Sequence, residues 1–311
     1  EELQRLCTAN IKNEIGKCTY THMLNEGAGI ETDLTVVCLE KDYFRIISSA
    51  AVRTHDKAHI LKHLSDNLQF KDVTDELICL GIFGPKSREL LSKITKEDLS
   101  NENFKFATSK NIKIKSINVW VQRLSYVGEL GYELYIKKEN GKEIYDLIID
   151  AGKDFKLTHC GAHAMDTMRM ESGFLHWGHD ISPEENQYQA SLNFAISYKK
   201  PFDFIGKEKL LKIRDQKLDR RFIMLVLKDN IPGKPLLLHE EPIYLENKII
   251  GKTTSGNYSF NYNKNLSFGY INSEFSNEQL VGKSLYIEIE KKKYPVELLL
   301  KPLKNLNFKN I

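Results

Sequence analysis

The sequence lacks the features that mark several large protein classes. Cysteine is scarce among its 311 residues. The five cysteines (Cys7, Cys18, Cys38, Cys79 and Cys160) are odd in number, and no two form a C-x-x-C pair. A disulfide framework or a zinc site is therefore not expected. A reducing compartment is: the cytoplasm, or the mitochondrial matrix in a eukaryote. Long apolar runs are missing too. A stretch such as 78–83 falls far short of the ~20 residues that span a bilayer. No signal-peptide pattern is visible, so no membrane partner is expected. With 45 Lys and Arg against 42 Asp and Glu, the net charge is +3. No basic block is long enough to suggest nucleic acid, whereas a small anionic ligand suits the balance. Internal repeats and low-complexity tracts are also absent. What remains is a globular composition, 41% hydrophobic and 28% charged, long enough for two or three domains.

A nucleotide-binding half is missing as well. Gly27-Ala28-Gly29-Ile30-Glu31-Thr32 begins like a dinucleotide fingerprint, but Thr32 stands where the third glycine is needed. The following Asp33-Leu34-Thr35-Val36-Val37 reads as a strand, with no helix to hold a pyrophosphate. The segment is a tight glycine turn into a strand. The opening Glu1-Glu2-Leu3-Gln4-Arg5-Leu6 reads as mid-helix with no capping residue before it, which predicts a piece of a longer chain.

Helical periodicity appears at 56–68, 85–94, 141–155, 162–172 and 206–213. Strand alternation appears at 33–39, 43–48 and 117–122. After about Arg220 short strands follow one another, at 222–227, 242–244, 249–252, 267–271, 285–290 and 296–300, with no convincing helix between them. This predicts an α+β region followed by an all-β barrel or sandwich.

Three segments stand out together. They are 24–36, which carries the glycine turn; Ser125-Tyr126-Val127-Gly128-Glu129-Leu130-Gly131-Tyr132-Glu133-Leu134-Tyr135; and 161–173, running into Phe174-Leu175-His176-Trp177-Gly178-His179-Asp180. The set resembles the folate-binding fold of the glycine-cleavage T-protein, an aminomethyltransferase. Glu241-Pro242-Ile243-Tyr244, 250–255, 176–180 and 204–207 resemble more particularly the C-terminal half of dimethylglycine and sarcosine dehydrogenases. The similarity covers essentially the whole chain. It implies a three-domain cloverleaf around folate, with its first domain truncated at the N-terminus. On this reading 1–75 plus 182–219 form one domain, 76–181 the remainder of the first, and 220–311 the β-barrel.

The resemblance also implies a chemistry. Tetrahydrofolate would be the cofactor, with FAD belonging to a missing N-terminal region, a flavin domain of the same polypeptide. The other partner would be a methylated amine or the iminium made from it. The expected activity is capture of that carbon as 5,10-methylenetetrahydrofolate. Free-standing glycine cleavage and a non-catalytic folate module are the alternatives. A carboxylate can accept the paired N–H donors of a pterin edge, and Glu133 matches the family's pterin-binding glutamate, with Tyr126 beside it. Asp33 matches the catalytic aspartate, where a carboxylate can stabilise an iminium cation and take up a proton. Arg169, three residues after Asp166 on one helix face, Trp177, Leu24 and Ser49 complete the implied folate set. Ser49 stands where glycine-cleavage proteins usually have asparagine. Gln189 is read into the glutamate place of a Thr-Pro-x-Glu pattern. His176 and His179 lack further ligands, so no metal is expected.

Overall fold

The computed structural model describes residues 1–12, 14–229, 231–272 and 274–306. The last five residues of the expected barrel domain lie outside them. The chain opens with α1 (Glu2–Leu6), then an antiparallel sheet of β1 (Cys18–Leu24), β2 (Ile30–Glu40) and β3 (Tyr43–Ser48), in that order, backed by α2 (Arg53–His63). A second sheet follows, built from β4 (Leu77–Phe83), α3 (Ser87–Ile94), β5 (Ser109–Ile114), β6 (Ile117–Gln122), β7 (Gly131–Lys137) and α4 (Gly141–Gly152). Its strand order is β4-β7-β6-β5. Helices α5 (Ala162–Glu171) and α6 (Lys207–Arg214) flank a long connection. The rest is a closed barrel of β8 (Arg220–Leu227), β9 (Pro242–Leu245), β10 (Lys248–Ser259), β11 (Lys264–Asn272), β12 (Leu285–Ile289) and β13 (Lys292–Leu299).

Strand alternation explains which faces are buried. In β2, Leu34 and Val36 pack with Leu6, Met23 and Ile60, while Asp33 and Thr35 point the other way and stay half-buried. In β7, Tyr132, Leu134 and Ile136 enter a core with α3 and α4, leaving Glu133 and Tyr135 on the opposite face. From Phe222 to Leu227 strand β8 is continuously apolar because both its faces are covered there. Ile223, Leu225 and Leu227 fill the barrel; Phe222 and Val226 face a core shared with Leu24, Ile30, Met170 and Leu175. That shared core ties the barrel to the rest of the molecule.

Several boundaries differ from the sequence expectation. Strand β10 starts one residue before the expected 249–252 and runs seven beyond it, because Thr253, Ser255 and Asn257 are polar yet buried or half-buried, bonded to Glu241 and to Arg169 and Asp166 of α5. A register shift between Thr253 and Ser255 breaks the alternation further. One turn of helix, α7 (Asn277–Leu280), interrupts the barrel strands. Helix α2 starts three residues before Asp56 and stops at His63, where Leu64 turns extended. Among the described residues, no helix is long and apolar enough to cross a membrane.

Candidate active site

The two sheets meet edge-on near Cys18. Ser109 N donates to Gly16 O at 2.6 Å, Cys18 N donates to Ala107 O at 3.0 Å, and Arg45 lies over the Trp120 ring at 4.4 Å. Beyond this hinge the polar face of β1–β2 and the β6–β7 region come close enough for the Asp33 charge to act on Tyr126. Glu133 lies at the hinge end, since its partner Gln122 accepts from Cys18 Sγ at 3.7 Å. Asp33 lies farther out, paired across the hairpin with His22. His22 lies four steps along β1 from Cys18, or about 13 Å of strand.

The turn that delivers Asp33 is built by Asn25, whose Oδ1 accepts from Gly29 N at 2.9 Å and whose Nδ2 donates to Glu31 at 2.9 Å. Gly29 is obligatory: a Cβ there would sit 1.9 Å from Pro183 O. The glycine-rich segment is thus a hairpin turn, as its sequence indicates, and Asp33 is the fourth residue of β2 rather than the strand's first.

The Asp33 side chain is 18% exposed. Burial pushes its pKa up to about 7; a hydrogen bond from Tyr20 pulls it down, and the nearby charge of Asp56 pushes it up again. A carboxyl poised there can hold or release a proton at neutral pH. His22 Nε2 is 3.8 Å from Asp33, but burial lowers the imidazole to about 3, so the ring is neutral and the contact is no ion pair. Tyr20 leaves 40% of its surface exposed, yet its phenol is pushed up by desolvation around the hydroxyl and by the Asp33 charge. Its ring stacks on Phe194 with centroids 6.1 Å apart.

At the other end, Gln122 Nε2 and Tyr135 OH (3.0 Å) both donate to Glu133 Oε2. Among the described residues, Oε1 has no hydrogen bond from the protein. The ring of Phe83 lies across Gly81 and Gly131, where a Cβ would fall 2.4 and 2.3 Å from it. An oriented carboxylate with an open oxygen beside an aromatic ring suits a flat ligand with adjacent N–H donors.

Tyr126 is half-buried in the β6–β7 connection. Its hydroxyl donates to Leu175 O at 2.8 Å, and its pKa is raised by burial and, more weakly, by the Asp33 charge. Trp177 donates to Ile30 O at 3.0 Å and packs on His55, centroids 5.0 Å apart, at the outer end of β2. Leu24 is fully buried in the shared core, and Ser49 is exposed just past β3, accepting from Ala51 N at 3.4 Å.

Arg169 is 1% exposed. It donates to Asp166 (2.7 Å), Phe174 O (3.0 Å), Asp180 (2.5 Å) and Ser255 (2.9 Å). The expected pair with Asp166 is present, but the guanidinium is a strut between α5, the 174–180 loop and the barrel. Asp180 also receives Thr254 Oγ1 and Ser255 Oγ. The Pro-x-Glu pattern needs re-placing: Ser182-Pro183-Glu184-Glu185 carries it. Ser182 Oγ donates to Glu185 (2.7 Å), which pairs with Arg220 (2.8 Å). Gln189 instead accepts from Asn186 N and donates to Asp219 at 2.6 Å. Sequence reasoning passed over Tyr20, His22, Asp56, Phe83, Gln122, Tyr135 and Gln187. Tyr20 and His22 alternate on one strand, as Tyr135 does with Glu133 on another, a signal that could have found them; Asp56, Phe83, Gln122 and Gln187 come from other elements.

Comparison with known proteins gives a consistent picture. The sequence model described as the GCVT N-terminal domain matches residues 1–200, and that of the glycine cleavage T-protein C-terminal barrel domain matches 220–304. Mitochondrial dimethylglycine dehydrogenase of Homo sapiens is 34% identical over 299 residues, 95% of this chain and 34% of that protein. The chain therefore spans about a third of that relative's length. An aminomethyltransferase of Thermoanaerobacter sp. (strain X514) is 31% identical over 313 residues, 99% of this chain and 82% of that protein. The crystal structure of glycine cleavage system aminomethyltransferase T from Bartonella henselae shares the fold, with a TM-score of 0.82 at 21% identity, covering 97% of this chain and 80% of that one.

Proposed function

Because the chain belongs to the glycine-cleavage T-protein family of folate-dependent aminomethyltransferases, we propose that it captures a one-carbon unit on tetrahydrofolate in the cleft between its two sheets. The carbon comes from an N-methyl amino acid already oxidised to the iminium level, and the product is 5,10-methylenetetrahydrofolate. The observation that carries this reading is Asp33, a carboxyl on the polar face of β2 whose pKa burial raises toward neutrality, with a second oriented carboxylate, Glu133, on the polar face of the neighbouring sheet. Glu133 is held by Gln122 and Tyr135 with one oxygen open, and Asp33 is raised to about 7.

The residues fit a reduced pterin. Glu133 would accept its N–H edge, with Phe83 and Tyr126 flanking the ring. Bound folate supplies the nucleophilic nitrogens. Asp33 in its ionised form stabilises an incoming iminium cation, takes the proton displaced from a folate nitrogen as the new C–N bond forms, and returns it to the amino-acid nitrogen as the original C–N bond breaks and the demethylated amine leaves. Burial keeps that carboxylate basic enough to hold the proton near neutral pH. Arg169 and Trp177 support the walls through backbone carbonyls of the 174–180 loop and β2. The stretches 241–244 and 176–180 favour a region of a dimethylglycine- or sarcosine-dehydrogenase-like protein, in which a flavin domain would make the iminium.

Binding of tetrahydrofolate and capture of labelled formaldehyde test the proposal together. Glu133→Gln should weaken binding about 10- to 100-fold, the range for a lost charge-assisted hydrogen-bond pair. Asp33→Asn should bind normally and capture about 100-fold or more slowly. Binding without capture by the unaltered chain would leave a non-catalytic folate module. No binding would sink the proposal.

A further inference from the structure

The hydrogen bonds leading to Asp33 from β1 run in one direction. Thr8 Oγ1 donates to Ala195 O at 3.0 Å, so toward Gln187 it can only accept, from Nε2 at 3.1 Å. That determines which end of the Gln187 amide points inward. The same Nε2 lies 2.8 Å from His22 Nδ1. An amide NH2 is donor only, so Nδ1 accepts and the proton of the neutral ring sits on Nε2. Nε2 is 3.1 Å from Tyr20 OH. The ring N–H therefore donates to the Tyr20 oxygen, which leaves the hydroxyl proton free to turn toward the Asp33 carboxylate, whose Oδ1 lies 3.8 Å from the same Nε2 on the facing strand.

The arrangement is not explained by stability. Gln187 Oε1 is buried with no partner among the described residues, a penalty that an apolar side chain would remove. The hairpin itself is already held by the backbone pairing of β1 with β2. An unsatisfied buried group calls for a reason other than stability, and this one sits on the amide that fixes the ring between it and Asp33.

We infer that Gln187, His22 and Tyr20 form a one-way hydrogen-bond relay that keeps a hydroxyl donor aimed at Asp33. Tyr20 touches the reacting carboxylate; His22 and Gln187 are positioning residues, His22 by its tautomer and Gln187 by selecting that tautomer. The role rests on the reading of Asp33 as the acid–base group of the cleft. The relay favours ionised Asp33 and so opposes burial and Asp56. The other titratable groups around Asp33 are Glu31 on its own strand, His55 and Asp56 from α2, and Tyr126 from the β6–β7 connection. The variants below leave all of these in place.

Two measurements on the ligand-free chain decide it. The ¹⁵N spectrum of histidine-labelled protein should show His22 as the Nε2–H tautomer, unchanged between pH 5 and 8. The ¹³C carboxyl titration of Asp33 should move up by about one pH unit in Tyr20→Phe, as loss of a donor to a carboxylate implies. Gln187→Glu places an acceptor against Nδ1. It should switch the tautomer, turn Tyr20 back toward His22 and raise the Asp33 midpoint similarly. His22→Gln, whose amide nitrogen can replace Nε2, should keep the midpoint; His22→Met should not. In capture assays the disruptive variants should lower kcat with tetrahydrofolate affinity unchanged. An Nδ1–H tautomer in the unaltered chain, or an Asp33 midpoint that Tyr20→Phe does not move, overturns the relay. A chain that captures no carbon overturns the functional reading instead, and the two spectra still decide the relay.

Discussion

Replacing Asp33 by Asn should stabilise the protein while disabling it, and the size of the effect follows from the cleft. Burial holds this carboxyl at about 7, against an ordinary value of 3.8. The folded state therefore binds the Asp33 proton more tightly than the unfolded state across that interval, and stability falls as pH rises from about 4 to 7. About three units at ~1.4 kcal/mol each give about 4 kcal/mol as an upper bound on the penalty above pH 7. The 18% exposure of the side chain trims this to roughly 2–4 kcal/mol. Asparagine has the same shape, carries no charge and can still accept from Tyr20. Urea denaturation at pH 4, 6 and 8 should show Asp33→Asn equal to the unaltered chain at pH 4 and more stable by that amount at pH 8. In calorimetry the gain should reach about 5–10 °C. Capture at pH 8 should meanwhile fall about 100-fold or more. A variant no more stable at pH 8 would mean that Asp33 is ordinarily solvated or paired. The physical basis for its acid–base role would then be gone.

Capture by the unaltered chain should rise with pH through about 7 as Asp33 ionises. Asp56→Asn removes a like charge and should shift that limb to lower pH; an unmoved limb refutes the coupling. Arg169→Met leaves Asp180 buried without its cation, with Ser255 and Thr254 still donating. It should cost about 3–5 kcal/mol in denaturation. A loss of folate affinity with an unchanged denaturation curve would instead put Arg169 on the ligand. Gly29→Ala drives a methyl into Pro183 O and should destabilise the hairpin by several kcal/mol, on the order of other backbone overpacking. A melting temperature within error of the unaltered chain would contradict that close approach.

Much of the architecture was legible because it depends on local pattern. The alternation in 117–122 and 285–289, the helical face of 141–152 and the density of short strands after Arg220 all survive as elements. The same local rules mislead where a strand serves two environments. Strand β10 was cut short because its polar half is stabilised by Asp166, Asp180, Arg169 and Glu241, none of them its sequence neighbours. Arg169 was open to misassignment for the same reason. A helical arginine three residues from an aspartate reads as a surface pair or a ligand contact. That it is buried under a barrel strand can be seen only once the barrel is docked.

For this protein, the order of apolar and polar residues by itself determined the α+β and barrel regions, the glycine turn and the strand that bears Asp33. Period and turn chemistry act over a few residues, so a single sequence contains them. Tertiary structure alone decided what Asp33 is. Its pKa depends on burial, on Tyr20 and on Asp56. The relay behind it joins Tyr20 and His22 to Gln187, 165 positions beyond His22. Desolvation and hydrogen-bond direction are properties of what surrounds a side chain in space, and the chain brings those surroundings together only by folding.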